Sequence, residues 1–228
     1  MSPTLLRDKV ALVTGGAHGT GAAIVTALAD SGARVALTYH HSEGEARQLT
    51  AQIRQRGGEA IALRTDSRHP ETCARAVTRT LELWGQIDIL VNQAAVTISK
   101  PFDEIELREF EQAMAINVQA VFLTSQLAAR RMPAGGRIIH ISGAHQPSGH
   151  GGALCAMSRA ALTALTRSMA QDLAPQGITV NHLVPDPLPA PGRDAQSAAQ
   201  AIAGLALWLA SPAAGAITGS QLSMAGEP

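Results

Sequence analysis

The stretch Thr14-Gly15-Gly16-Ala17-His18-Gly19-Thr20-Gly21 places four glycines between an apolar run and a helical pattern, and the chemistry it suits is anion binding. Glycine has no Cβ, so the turn can be tight and backbone N–H groups can come close to a ligand. The free N–H groups and positive dipole end of the following helix then favour phosphate, in outline the pyrophosphate of a dinucleotide. A plain strand-to-helix loop is the alternative. A second pair stands on a later helical pattern, where Cys155 and Arg159 are one turn apart. A guanidinium beside a thiol makes the sulfur a candidate nucleophile or redox-sensitive group; a small apolar helix residue is the other reading. Arg159 can donate hydrogen bonds and supply charge, but it cannot shed a proton. In the loop before that helix, His145 and His150 could supply a proton near neutral pH, or could be solvated loop histidines. His140, His145, His150 and Cys155 recur at intervals of five, which fits neither a helix-face metal site nor a paired-cysteine knuckle, so no metal is expected.

The elements that must position these residues alternate along the chain. Apolar runs predict strands near 9–14, 34–39, 60–65, 87–92, 136–142, 178–184 and 219–224. Helical patterns fall near 20–31, 43–57, 70–84, 103–131 in two pieces, 153–173 and 196–210. Strand and helix alternating through short turns imply an α/β fold: a doubly wound, seven-stranded parallel Rossmann sheet with helices on both faces and ligands at the carboxyl ends of the strands. At 228 residues, with no linker or repeat, one domain over 1–228 is expected.

Composition narrows the function classes. Lys plus Arg and Asp plus Glu are 18 each, so there is no electrostatic footprint for nucleic acid or an anionic membrane. Met1 to Lys9 carries no apolar signal core, and no run approaches the ~20 apolar residues that span a bilayer, so a cytoplasmic protein is expected. Cys73 and Cys155 suit reduced thiols better than a disulfide framework.

A dinucleotide site makes a further demand after the second strand, where an acid would hydrogen-bond a ribose 2′-hydroxyl. The strand instead ends Leu37-Thr38-Tyr39-His40-His41-Ser42. Tyr39 stands in the acid's place, and His40, His41 and Ser42, with His18 from the glycine loop, could bond a 2′-phosphate. NADP(H) is therefore favoured over NAD(H), with exposed loop histidines as the alternative.

The spacing Thr-Gly-x-x-x-Gly-x-Gly resembles the short-chain dehydrogenase/reductase family, and the resemblance covers about residues 8–224. It implies cofactor contacts from Gly15, His18, Gly19, Thr20, Gly21, Tyr39, His40 and His41. Further contacts are implied from Asp66, which meets the adenine in relatives, and from Asn92, Ala94, Arg159 and Pro185. NADP-using members, pteridine reductases among them, often look similar after the second strand. Asn92-Gln93-Ala94-Ala95 departs from the family's Asn-Asn-Ala-Gly at its second and fourth places. Asn117 matches a helix asparagine that supports a proton chain in the family; a buried asparagine bonding local backbone is the equal alternative.

The catalytic half departs further. Leu154-Cys155-Ala156-Met157-Ser158-Arg159-Ala160-Ala161 is similar to the family's Tyr-x-x-Ser-Lys-Ala-Ala, with Cys155 at the tyrosine and Arg159 at the lysine. In the family that phenol protonates the carbonyl oxygen as hydride arrives. Ser142, thirteen residues before Cys155, has the spacing of the serine that polarises substrate; strand register would instead put Gly143 there. Val180-Asn181-His182-Leu183-Val184-Pro185 resembles Val-Asn-x-x-x-Pro-Gly, but Asp186 replaces the glycine, and the segment that usually carries a threonine and a helical lid is short.

The family implies an oxidoreductase on carbonyl or alcohol groups of a small-molecule substrate. The substitutions imply that redox activity is atypical, weak or absent, with Ser142, Cys155, Arg159, Asn117, His145 and His150 as catalytic candidates. The rival is a non-redox protein using the same cleft, either isomerase- or cyclase-like or a binding, scaffold or regulatory subunit. In relatives the apolar faces of the two long helices pair, so a homodimer or homotetramer is expected.

Overall fold

The computed structural model describes residues 4–143, 152–185 and 195–224. Its centre is a parallel sheet of β1 (Val10–Thr14), β2 (Arg34–Tyr39), β3 (Ala60–Arg64), β4 (Ile89–Asn92), β5 (Arg137–Ile141), β6 (Thr179–Pro185) and β7 (Gln221–Met224), in the order β3-β2-β1-β4-β5-β6-β7. The chain runs outward from β1 to β3 and then returns to β4 on the other side of β1, where Thr14 lies opposite Asn92. That reversal opens a crevice at the carboxyl ends of β1 and β4, the place where open α/β sheets bind ligands.

Side chains alternate across the sheet. Ala11, Val13, Val35, Leu37, Val91 and Ile139 pack beneath α1 (Gly19–Asp30), α2 (Glu43–Gln55) and α7 (Ala195–Ala210). Leu12, Ala36, Leu90, Ile138 and Val180 face the other side, beneath α3 (Pro70–Trp84), α5 (Ala120–Ala129) and α6 (Ala153–Leu173). With both faces covered, the central strands place apolar side chains on both faces instead of alternating polar and apolar.

Local signals fix the helix ends. Pro70 opens α3, since its missing N–H would have no intrahelical partner there, and Gly85 closes it at φ 78°. A reciprocal cap between Glu106 and Glu109 starts α4 (Leu107–Met114). The expected helix over 103–131 is split: α4 and α5 are joined by a π-helical turn at Ala115–Gln119 that carries Asn117. The sequence reads β7 as beginning at 219, but Gly219 turns at φ 70° and pairing starts at Gln221. Among the described residues no helix is long and apolar enough to cross a membrane.

Candidate active site

The glycine loop is held from both sides. Thr14 Oγ1 accepts the N–H groups of Gln93 at 3.0 Å and Ala94 at 3.2 Å, tying the end of β1 to the exit of β4. Gly15 donates its N–H to Thr38 Oγ1 at 3.1 Å, and Gly16 donates to the Thr38 carbonyl at 2.9 Å, so β2 fixes the other edge. Gly15 has φ +69°, and a Cβ there would come within 2.9 Å of the Ala94 Cα; one on Gly21 would run into the Gly15 carbonyl oxygen. The backbone packing therefore excludes side chains at both. At this end of α1 the Ala22 N–H bonds the His18 carbonyl at 3.2 Å, and the N–H groups before it have no intrahelical acceptor. His18 makes no side-chain cap to them. This bare, donor-rich cradle fits a pyrophosphate.

From the loop, a groove of ≈ 460 Å³ runs past Tyr39, His40, His41 and Ser42 to Asp66 on one side and Ala94 to Val96 on the other. Asp66 is occupied from several directions. The Arg68 Nη2 donates to its Oδ2 at 2.6 Å, and the His40 Nε2 lies 3.3 Å from the same oxygen. The Arg68 guanidinium holds the Asp66 carboxyl well below the usual carboxylate range. Burial pushes the His40 pKa down, against the pull of Asp66. The His40 and His41 rings sit 3.7 Å apart between centroids. Gln93 also lines the groove, and its Oε1 is buried with no hydrogen-bond partner, close to Gly15 and Gly21.

Asn92 does not bring its amide to this groove. Its Oδ1 accepts from Thr124 Oγ1 at 2.7 Å and its Nδ2 donates to Ser125 Oγ at 2.9 Å. From there a buried polar chain runs under the sheet: Ser125 Oγ lies 3.2 Å from His140 Nε2, and His140 Nδ1 lies 3.0 Å from Thr166 Oγ1. Because Thr166 gives its own proton to the Leu162 carbonyl at 2.7 Å, the network assigns the His140 proton to Nδ1. Full burial lowers the His140 pKa to about 3, with His182 adding to the effect.

On the other side of the crevice the structure gathers Asn117, Ser142, Cys155, Ser158 and Arg159. The Asn117 Nδ2 donates to Ser158 Oγ at 3.5 Å, and Ser158 donates to the Cys155 carbonyl at 3.1 Å. Cys155 turns its thiol to the Gly143 carbonyl at 3.8 Å, joining the first turn of α6 to the exit of β5. Ser142 continues the β5–β6 ladder by donating its N–H to the Leu183 carbonyl at 3.2 Å; its Oγ is buried and has no partner among the described residues. Among the described residues, Arg159 Nε and Nη2 are buried and have no hydrogen-bond partner. Pro185 closes β6, paired in register with Met224. His145, His150 and Asp186 lie outside the described residues.

His182, read from the sequence only as part of a strand, sits under α6. Its Nδ1 is 3.2 Å from Thr163 Oγ1, while Thr163 gives its proton to Gln221 Oε1 at 2.8 Å, so Nδ1 carries the His182 proton and Nε2 a free lone pair. Burial, with the charge of Arg159, lowers the His182 pKa to about 4.

The family model for short chain dehydrogenases matches residues 9–201. The chain belongs to the short chain dehydrogenase family. Members share this parallel Rossmann-type sheet, which binds a nicotinamide dinucleotide, and the family acts on small-molecule substrates. A short-chain dehydrogenase/reductase from Serratia marcescens BCRC 10948 is 40% identical and superposes with a TM-score of 0.90, covering 97% of this chain and 98% of that one. A blue fluorescent protein from a metagenomic library, in complex with NADPH, is 36% identical with a TM-score of 0.90 over 97% of this chain and 98% of that one. The hydroxynaphthalene reductase arp2 of Aspergillus fumigatus is 34% identical over 181 residues, 79% of this chain and 66% of that protein. This chain thus spans about two-thirds of that reductase.

Three groups at this short chain dehydrogenase site escaped the sequence reading. Arg68 has a usable signal, since it follows Asp66 by two residues at the exit of β3, on the ligand side of the sheet. Gln93 and His182 had none beyond their type, because only the fold shows that the first, just past β4, turns to the glycine loop and the second, in β6, lies under α6.

Proposed function

We propose that the protein binds NADP(H) in preference to NAD(H) and acts on carbonyl or alcohol groups only weakly or atypically, if it turns over at all. Cys155 at the first turn of α6 is the observation that carries this reading. Reduction of a carbonyl needs a proton at its oxygen as hydride arrives, and a thiol reaches only one atom past Cβ. The bound dinucleotide would supply or accept the hydride; Arg159 can bond its ribose and contribute charge but cannot donate the proton. No other phenol can stand in. Tyr39 is the chain's single tyrosine, and it ends β2, separated from β5 by β1 and β4.

The preference for NADP(H) rests on His40, His41 and Arg68 around the groove and on Tyr39 in place of an acid at the end of β2. The NADPH-bound relative supports it. Gly15, Gly19, Thr20 and Gly21 would hold the pyrophosphate. Ala94 would line the wall beside the cofactor, and Pro185 would lie at the nicotinamide end. Asp66 would meet the adenine only by sharing its carboxylate with Arg68. Leu107, Phe122 and Met157, 71%, 47% and 47% exposed on α4, α5 and α6, support pairing of these helices in a homodimer or homotetramer.

Calorimetric titration with NADPH and NADH, followed by NADPH oxidation over a panel of aldehydes and ketones, tests the reading. Tighter binding of NADPH with oxidation close to background is expected. Binding of neither dinucleotide would overturn it, and fast oxidation of simple carbonyls by the unaltered protein would overturn its catalytic half.

A further inference from the structure

A 2′-phosphate would bring nearly two negative charges into the groove, so its recognition depends on which cations there are not already matched. The permanent one is committed. Arg68 meets Asp66 through both prongs of its guanidinium, Nε donating to Oδ1 at 3.0 Å and Nη2 to Oδ2 at 2.6 Å, and the charges of the pair cancel. Arg64, at the end of β3, is not among the residues that line the groove. In the first turn of α2, Glu43 is paired with Arg47 at 2.6 Å. Further positive charge must therefore come from histidine, whose ring is charged or neutral within the physiological range.

The histidines differ in what faces them. His69, just ahead of α3, lies 3.6 Å from Asp66 Oδ2 and 3.8 Å from Glu71 Oε1, so a proton on its ring is answered by the Glu71 carboxylate. His18 lines the groove from the glycine loop. His40 and His41 line it side by side, with ring centroids 3.7 Å apart and planes tilted by 48°. Two positive rings at that separation repel, so the pair holds one proton and not two. His40 Nε2 is 3.3 Å from Asp66 Oδ2, but Arg68 already matches that carboxylate, and a proton on the pair adds a net positive charge to the groove. Burial holds the His40 pKa below the ordinary histidine value, so its ring is largely neutral above about pH 7 until an anion stands beside it.

We propose that the His40–His41 pair is a proton-dependent selector of the dinucleotide: it takes up one proton as a 2′-phosphate enters the groove, so acidity favours the phosphorylated cofactor over the unphosphorylated one. The inference rests on the reading of this groove as the NADP(H) site. Because the bound state holds the extra proton, affinity for the 2′-phosphate rises as pH falls, by up to about tenfold per pH unit for one proton. The phosphate takes its own second proton near about pH 6, which sets the lower end of the range that separates the two effects.

The full chain is titrated by calorimetry with NADP+ and with NAD+ from about pH 8 to about pH 6.5, in two buffers of different ionisation enthalpy, which report the protons taken up. NADP+ affinity is expected to rise at least about fivefold over that range with uptake approaching one proton, while NAD+ affinity stays within about twofold. His40→Gln/His41→Gln should hold NADP+ affinity near its value at the alkaline end. His40→Arg, with a permanent charge, should bind NADP+ tightly at both ends and take up no proton. His69→Gln should keep the slope. An NADP+ affinity that is flat or falls on acidification, a parallel rise for NAD+, a slope that survives in the double variant, or its loss in His69→Gln would overturn the proposal. Preferential binding of NADP+ without any pH dependence would overturn it and leave the cofactor reading standing; binding of neither dinucleotide would overturn both.

Discussion

Asn117 and Val96 are joined by two hydrogen bonds, the Val96 N–H donating to Oδ1 at 2.8 Å and Nδ2 donating to the Val96 carbonyl at 2.9 Å. One side chain on the π-helical turn thereby closes the backbone that forms the wall of the groove beyond β4. Asn117→Ala should remove both bonds, destabilise the fold by about 1–2 kcal/mol in chemical denaturation, and weaken NADPH binding several-fold. Unchanged stability and affinity would show that the wall is held by other contacts.

Gly21 tests the cradle itself. Because a methyl there would meet the Gly15 carbonyl oxygen, Gly21→Ala should force the loop outward, cost about 1–3 kcal/mol and lower NADPH affinity at least about tenfold. Gly44, whose Cβ position is open, is the control: Gly44→Ala should leave NADPH affinity as it is. Calorimetry and thermal denaturation of the two variants give the comparison.

The buried histidines set a pH dependence. His140 and His182 have pKa values lowered by burial to about 3 and about 4, against 6.5 for the ordinary side chain. The unfolded chain therefore binds more protons than the folded one below about pH 6.5, and stability is lost as pH falls. Between pH 6 and pH 5 the slope should approach about 1.4 kcal/mol per pH unit for each histidine, and the His182 share falls to about half of that by pH 4. His182→Gln should remove roughly half of it, as read from urea unfolding across that range. A profile flat from pH 7 to pH 4 would contradict the assignment of both as neutral.

Much of this arrangement was legible in the sequence. The 3.6-residue pattern gave α3 and α6 their observed bounds, and the apolar runs marked all seven strands, because a sheet buried on both faces needs continuous hydrophobic segments. The break in the long helix was legible only as two pieces; its π-helical turn accompanies an Asn117 amide that reaches across to Val96, a tertiary contact with no local signature. Asn92 is similar, since residue type places it beside the groove but only the fold shows its amide spent on Thr124 and Ser125.

Arg68 bears on cofactor choice. Arg68→Ala should weaken NADPH about tenfold while leaving NADH within a few-fold, because a 2′-phosphate would lose a guanidinium and gain the uncompensated Asp66 carboxylate nearby. Parallel loss for both cofactors would place Arg68 in support of Asp66 alone.

The decisive measurement is NADPH oxidation over one carbonyl panel by the unaltered protein and by the double variant Cys155→Tyr/Arg159→Lys, each first shown to bind NADPH. Restoring a phenol and an ammonium one helical turn apart is predicted to raise the rate at least about a hundredfold, within the 10²–10⁴ range that a positioned proton donor contributes. An unaltered protein that already matches or exceeds the double variant would contradict the account.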